Sequence, residues 1–146
     1  MRLIVIWSKN AMSWKRRGKN DGTLNFATQT FKLAICDNTV TPIPTQATPL
    51  LSTYTQAATG GSYVAGGITI PLTLTQAAGV LTLDSTVDPL WALNAVNSVA
   101  VYWGIIYEVT SGKCLAFINL GGPISMRTAP LKITINSFGI FQERQI

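Results

Sequence analysis

The chain contains no histidine, and 12% of its residues are charged, against roughly 25% in an average soluble domain. The missing histidine excludes the Ser-His and Cys-His pairs that activate a nucleophile. It also removes the commonest nitrogen ligand for zinc, and with two cysteines and no Cys-x-x-Cys no metal site is expected. Both cysteines, Cys36 in "FKLAICD" and Cys114 in "GKCLAFINL", sit in apolar runs, which favours buried thiols over reactive ones. A disulfide between neighbouring strands is not readable from their spacing. No run approaches the roughly 18 apolar residues that span a bilayer. The apolar run of "MRLIVIW", Leu3 to Trp7, is short for a signal core, so a soluble chain made inside the cell, with no membrane role, is the expectation.

Acid–base machinery is equally sparse. Asp84 and Asp88 are the one close carboxylate pair, and they flank a turn, where capping is the simpler role. The pairs Gly60-Gly61 and Gly66-Gly67 in "GGSYVAGG" lack the Lys-Ser/Thr of a phosphate loop and read as turns. The same holds for "LGGPISM". No enzyme and no cofactor are expected.

The charge that is present is unevenly placed. Arg2, Lys9, Lys15, Arg16, Arg17 and Lys19 precede the first acid, Asp21. From Asp21 onward five bases face six acids, so the net charge of +5 belongs to the N-terminal segment. Residues 1–22 are read as a basic arm that ends in the turn chemistry of "KRRGKNDG", and residues 23–146 as one domain. The arm can be a solvated tail, a strap for an acidic protein surface or a weak nucleic-acid contact. It carries Trp7 and Trp14 as well as cations. An aromatic anchor with charge suits a segment that orders on a partner, so Trp7, Lys9, Trp14, Lys15, Arg16, Arg17 and Lys19 are the candidate partner-binding residues.

What fills the domain is β-forming. In "TLNFATQTFKLAICD", Phe31, Leu33 and Ile35 alternate with Lys32, Ala34 and Cys36, the period of a strand. "NTVTPIPTQATPLL" holds three prolines and reads as a surface loop or edge. Ile68, Ile70, Leu72 and Leu74 alternate with Thr69, Pro71, Thr73 and Thr75, a half-buried strand in which Pro71 marks an edge or a bulge. "GVLTLDS" is a further strand. A turn at Asp88-Pro89 precedes a long apolar run. A helix near 89–97 is conceivable there, whereas Val99 to Val109 is β-rich and reads as a buried strand. "TSGK" between two β-rich runs is the strongest hairpin signal. Trp91, Tyr102, Trp103 and Tyr107 lie in or beside apolar runs and are expected in the core. Eight to ten short strands and almost no helix predict an all-β fold, a β-sandwich or jelly-roll-like body with an extended basic N-terminal arm.

The stretches "TLNFATQTFKLAICD", "YTQAATGGSYVAGGITI", "VAVYWGIIYEVTSGKCLAFINLGG" and "LKITINSFGIF", in this order, resemble small structural proteins of tailed bacteriophages. The resemblance runs from about Thr23 to Phe141 and departs at the N-terminus, where "SWKRRGKNDG" replaces a short helical segment. It implies a virion component made in the host cytoplasm, with a capsid decoration (cement) protein on the outer shell as the first choice. The implied partners are the major capsid protein and further copies of the chain, as a dimer or trimer, with no direct DNA role. A tail, baseplate or fibre component, or a receptor-binding module, is the alternative.

Overall fold

The structure is a computed structural model, and it describes residues 4–6, 25–43, 45–46, 49–135 and 139–144. Among the described residues the strands are β1 (Ile4–Ile6), β2 (Phe31–Cys36), β3 (Ile68–Thr69), β4 (Thr73–Ala77), β5 (Val80–Asp84), β6 (Leu90–Trp91), β7 (Val101–Glu108), β8 (Cys114–Ile124), β9 (Leu131–Lys132) and β10 (Phe141–Arg144). They form a five-stranded sheet in the order β1-β8-β7-β2-β3, a three-stranded sheet β10-β5-β4 and the pair β6-β9. Every pairing is antiparallel. Apart from a single 3-10 turn at Leu51–Thr53, the described residues contain no helix.

The period-two pattern of β2 explains the architecture. Phe31, Leu33 and Ile35 enter a large apolar cluster, while Ala34 and Cys36 enter a second one on the opposite face. β7 divides in the same way, with Ile106 on the first face and Ile105 and Tyr107 on the second. The central strands are therefore apolar on both faces, which accounts for the low charge of the chain. The first cluster draws Leu83 from β5, Trp91 from β6 and Leu131 from β9, so residues of all three sheets share it. Tyr63 tilts against Trp91 with ring centroids 6.2 Å apart.

The proline-rich segment covers the second face. Its backbone is tied to the sheet at both ends: Cys114 N donates to Pro49 O and Leu51 N to Gly112 O, while Asp37 N donates to Thr55 O and Ala57 N to Ile35 O. Pro42 and Pro49 are buried, so this loop acts as a layer of the fold as well as a surface connection. Leu51 and Tyr54 pack there against Trp103, Phe117 and both cysteines. The cysteines are free, and burial raises each thiol to about 12.

The hairpin at "TSGK" forms as expected and is closed by an acid. Glu108 is 1% exposed, and its carboxylate accepts hydrogen bonds from Thr110 N at 2.9 Å and from Ser111 N and Oγ at 2.7 and 2.6 Å. Burial on its own would raise this carboxyl. The donors of Ser111 and Thr110 outweigh it and hold the group below its ordinary value.

Two expectations change in detail. The run Ile68 to Thr75 is two strands, β3 and β4, placed in different sheets. Pro71, which has no N–H for a ladder, lies between them where the chain leaves one sheet for the other. Its alternation survives the break, since Ile70 and Leu72 are buried and Pro71 and Thr73 exposed. Residues 89–97 form no helix. Leu90 and Trp91 pair with Lys132 and Leu131, and the chain then turns at Asn94. Of the predicted arm, Ile4–Ile6 pairs with β8 as an edge strand.

Candidate functional site: an uncharged apolar loop held by Asn97

The candidate partner-binding residues Trp7, Lys9, Trp14, Lys15, Arg16, Arg17 and Lys19 lie outside the described residues. Within the described residues the feature that stands out is the segment between β6 and β7. Residues 89–107 carry no Asp, Glu, Lys or Arg. Eight large hydrophobic side chains are exposed among the described residues, and four of them fall in ten consecutive positions: Leu90 (56%), Leu93 (55%), Val96 (53%) and Val99 (51%). Exposed apolar side chains are unremarkable when scattered, but their concentration in one uncharged stretch, from the start of β6 through the loop after it, makes this segment the candidate contact surface.

The loop does not collapse onto the core because buried polar groups hold its backbone. Asn97 is 0% exposed. Its Oδ1 accepts from Ser62 N at 2.9 Å, and its Nδ2 lies 2.9 Å from Ser62 Oγ, 3.0 Å from Ala92 O and 3.1 Å from Met126 O. One amide thus links three loops. Around it, Ser62 Oγ donates to Ala92 O, Asn94 N to Met126 O and Met126 N to Ser98 O. Ala58 N donates to Ser98 Oγ at 2.7 Å, and Arg127 Nε to Asn97 O at 2.7 Å. Asn94 Oδ1 accepts from Val96 N and closes the turn that presents Val96. Gly61 lies so near that a Cβ there would stand 2.1 Å from Asn97 Oδ1. That contact explains the second glycine of "TGGS" by close approach.

The arrangement offers shape and apolar area rather than reactive groups. Asp84 Oδ1 accepts from Ser85 N, and Asp88 accepts from Ile135 N while pairing with Lys132 at 3.5 Å. Asp84 thus serves its own strand end, whereas Asp88 ties its turn to the β9 segment far along the chain, a contact that their spacing does not show. Trp91, Trp103 and Tyr107 are buried and Tyr102 is half-buried. Trp103 Nε1 donates to Asn38 Oδ1, and Tyr107 Oη to Gly66 O. Gly67 (φ +79°) lets the "AGG" turn approach β2 where a Cβ would lie 1.9 Å from Leu33 O, a packing role for the second glycine pair. A shallow apolar cleft lies between the proline-rich segment and β7–β8, lined by Ile43, Pro49, Tyr54, Ile105 and Phe117. Tyr54 Oη bonds to Gln46 beside it. No three His, Cys, Asp or Glu residues gather as a metal site among the described residues. No helix among them is long and apolar enough to cross a membrane.

Comparisons of the chain with protein-family models, with curated proteins and with solved structures found no match.

Sequence reasoning missed Asn97 and the loop it holds. Asn94 and Asn97 in "ALNAVNSV" were the available signal. An asparagine every third position interrupts an apolar run and favours turns over a strand. The periodicity alone divides the run between a conceivable helix and the start of a buried strand.

Proposed function

We propose that this chain is a structural protein of a tailed-bacteriophage virion, a capsid decoration (cement) protein that binds the major capsid protein and stabilises the assembled shell. The observation that carries this reading is the exposed, uncharged stretch of Leu90 in β6 and Leu93, Val96 and Val99 in the loop after it, a loop held by the fully buried Asn97. The order of β-rich stretches that resembles phage structural proteins supports the virion assignment. In this reading the five-stranded sheet and the smaller sheets are the layers of a β-sandwich, with a jelly-roll-like order as its variant. The support is the apolar cluster they share through Leu33, Leu83, Trp91 and Leu131.

Magnitudes favour a multivalent attachment. Covering a half-exposed Leu or Val gains about 1 kcal/mol, so the four side chains together supply about 4 kcal/mol. Association costs roughly 4–15 kcal/mol in lost freedom. The loop therefore needs help, and the basic stretch of the arm after β1, Lys9 to Lys19, on an acidic shell supplies it by raising the effective concentration. The working surface of the protein is then the loop, with Trp7, Trp14 and the arm cations as the strap.

The test is a pelleting assay. Purified protein is mixed with phage heads stripped of it, and separately with free major capsid protein, at low and high salt. Saturable binding to heads and not to free subunits, weaker at high salt, is expected. Leu93→Asp and Val96→Asp should weaken it about tenfold while leaving the urea midpoint unchanged, since both side chains are exposed. Absence of binding to heads refutes the capsid assignment and moves the chain to a tail, baseplate, fibre or receptor-binding role.

A further inference from the structure

Sheet edges invite pairing with other chains, and proteins blunt them with charge, proline or shortness. Among the described residues the sheet edges show that pattern, with one exception. β1, uncharged and without proline, is only three residues long. β3 is two residues long and is followed by Pro71. β10 carries Glu143 and Arg144. β6 and β9 have two residues each, and β9 includes Lys132. β4 is different. Thr73-Leu74-Thr75-Gln76-Ala77 is five residues long, holds no charge and no proline, and closes the three-stranded sheet with nothing beyond it among the described residues. Thr73, Thr75, Gln76 and Ala77 are exposed.

The hairpin fixes which groups this edge presents. Ala77 pairs with Val80 across a two-residue turn in which Ala78 (φ 48°) and Gly79 (φ 76°) both have positive φ, the geometry of a type I′ turn. Such a turn makes Ala77 and Val80 a hydrogen-bonded pair. Alternation then turns Thr75 and Thr73 toward their β5 partners Thr82 and Asp84, and leaves the N–H and C=O groups of Leu74 and Gln76 directed away from β5. Among the described residues no backbone hydrogen bond from another segment reaches Leu74 or Gln76.

We propose that β4 is a self-association edge, occupied by β4 of a second copy of this chain in antiparallel register about a two-fold axis at Thr75. Leu74 then stands opposite Gln76 of the other copy, and each such pair exchanges both of its N–H···O bonds. Thr75 faces its own counterpart in the intervening position, where side chains are closest and a Thr–Thr pair is favourable. The register is self-complementary and brings no like charges together. It joins two three-stranded sheets into one of six strands. This interface rests on the geometry of the hairpin and not on the virion reading.

The test is sedimentation velocity on the full chain over a wide concentration range at low salt, with Thr75→Lys and Thr75→Glu made separately. Thr75 is exposed, so at protein concentrations too low for dimerisation both variants should keep the wild-type urea midpoint. The wild type should dimerise. Each variant should associate roughly tenfold or more weakly, because the axis places two like charges face to face, and an equimolar mixture of the two should restore association. A wild type that stays monomeric throughout overturns the proposal. So do variants that dimerise like the wild type, and so does a mixture that associates no better than its components.

Discussion

Replacing Asn97 by alanine tests the account of the apolar loop most directly. The substitution removes an acceptor from Ser62 N and a donor from Ala92 O and Met126 O. The two carbonyls keep other donors, Ser62 Oγ and Asn94 N respectively. Ser62 N does not gain one. Two lost bonds at about 1 kcal/mol each and one orphaned, partly buried N–H at about 1 kcal/mol give a cost of about 3 kcal/mol. For a chain of this size that corresponds to a fall in Tm of about 6–12 °C. Asn97→Asp should be worse by at least about 1 kcal/mol, because a carboxylate has no N–H to donate and would set a buried negative oxygen against the Ala92 and Met126 carbonyl oxygens. Urea unfolding followed by tryptophan fluorescence measures both variants, and an unchanged m-value would place the effect in stability. Limited proteolysis should cut the alanine variant within residues 92–99 before the wild type. A loss below about 1 kcal/mol in Asn97→Ala, or an Asn97→Asp variant as stable as Asn97→Ala, would refute the view that this amide holds the three loops.

Two further predictions concern the hairpin and the thiols. The Glu108 carboxyl titrates below its ordinary value of 4.5, so the stability it contributes is present above pH 4.5 and is lost as pH falls through its folded value. Glu108→Gln should cost about 1–2 kcal/mol at pH 7, and its deficit should shrink in acid. Urea midpoints from pH 7 to pH 2.5 that run parallel for the two proteins would contradict this. Cys36 and Cys114, buried and raised to about 12, should both resist a thiol reagent at pH 8 in the native protein and both react in urea. Labelling of either thiol before unfolding would show that the proline-rich segment does not seal its face of the sheet.

Period two in "FKLAIC" and in the run from Val101, the turn chemistry of "TSGK" and the density of apolar residues around Trp91 and Trp103 determine the β class, the central hairpin and much of the core. These signals are local. A strand records its two faces in alternate residues, and a tight loop needs particular φ values, so both can be read from neighbours in the chain. The uneven charge and the missing histidine likewise stand in the sequence as composition. Other features depend on residues far apart. Pro71 marks a break, but which sheet receives Thr73–Ala77 depends on β5 and β10. "NTVTPIPTQATPLL" reads as a loop, yet Pro42 and Pro49 are buried because β7 and β8 present an apolar second face that needs covering. Leu93, Val96 and Val99 differ in no sequence property from core residues. They are exposed because Asn97 finds partners on loops 35 and 29 positions away, which keep the backbone from turning inward. A side chain's hydrophobicity is a property of the residue, but whether it is covered is decided by what the rest of the chain brings to it.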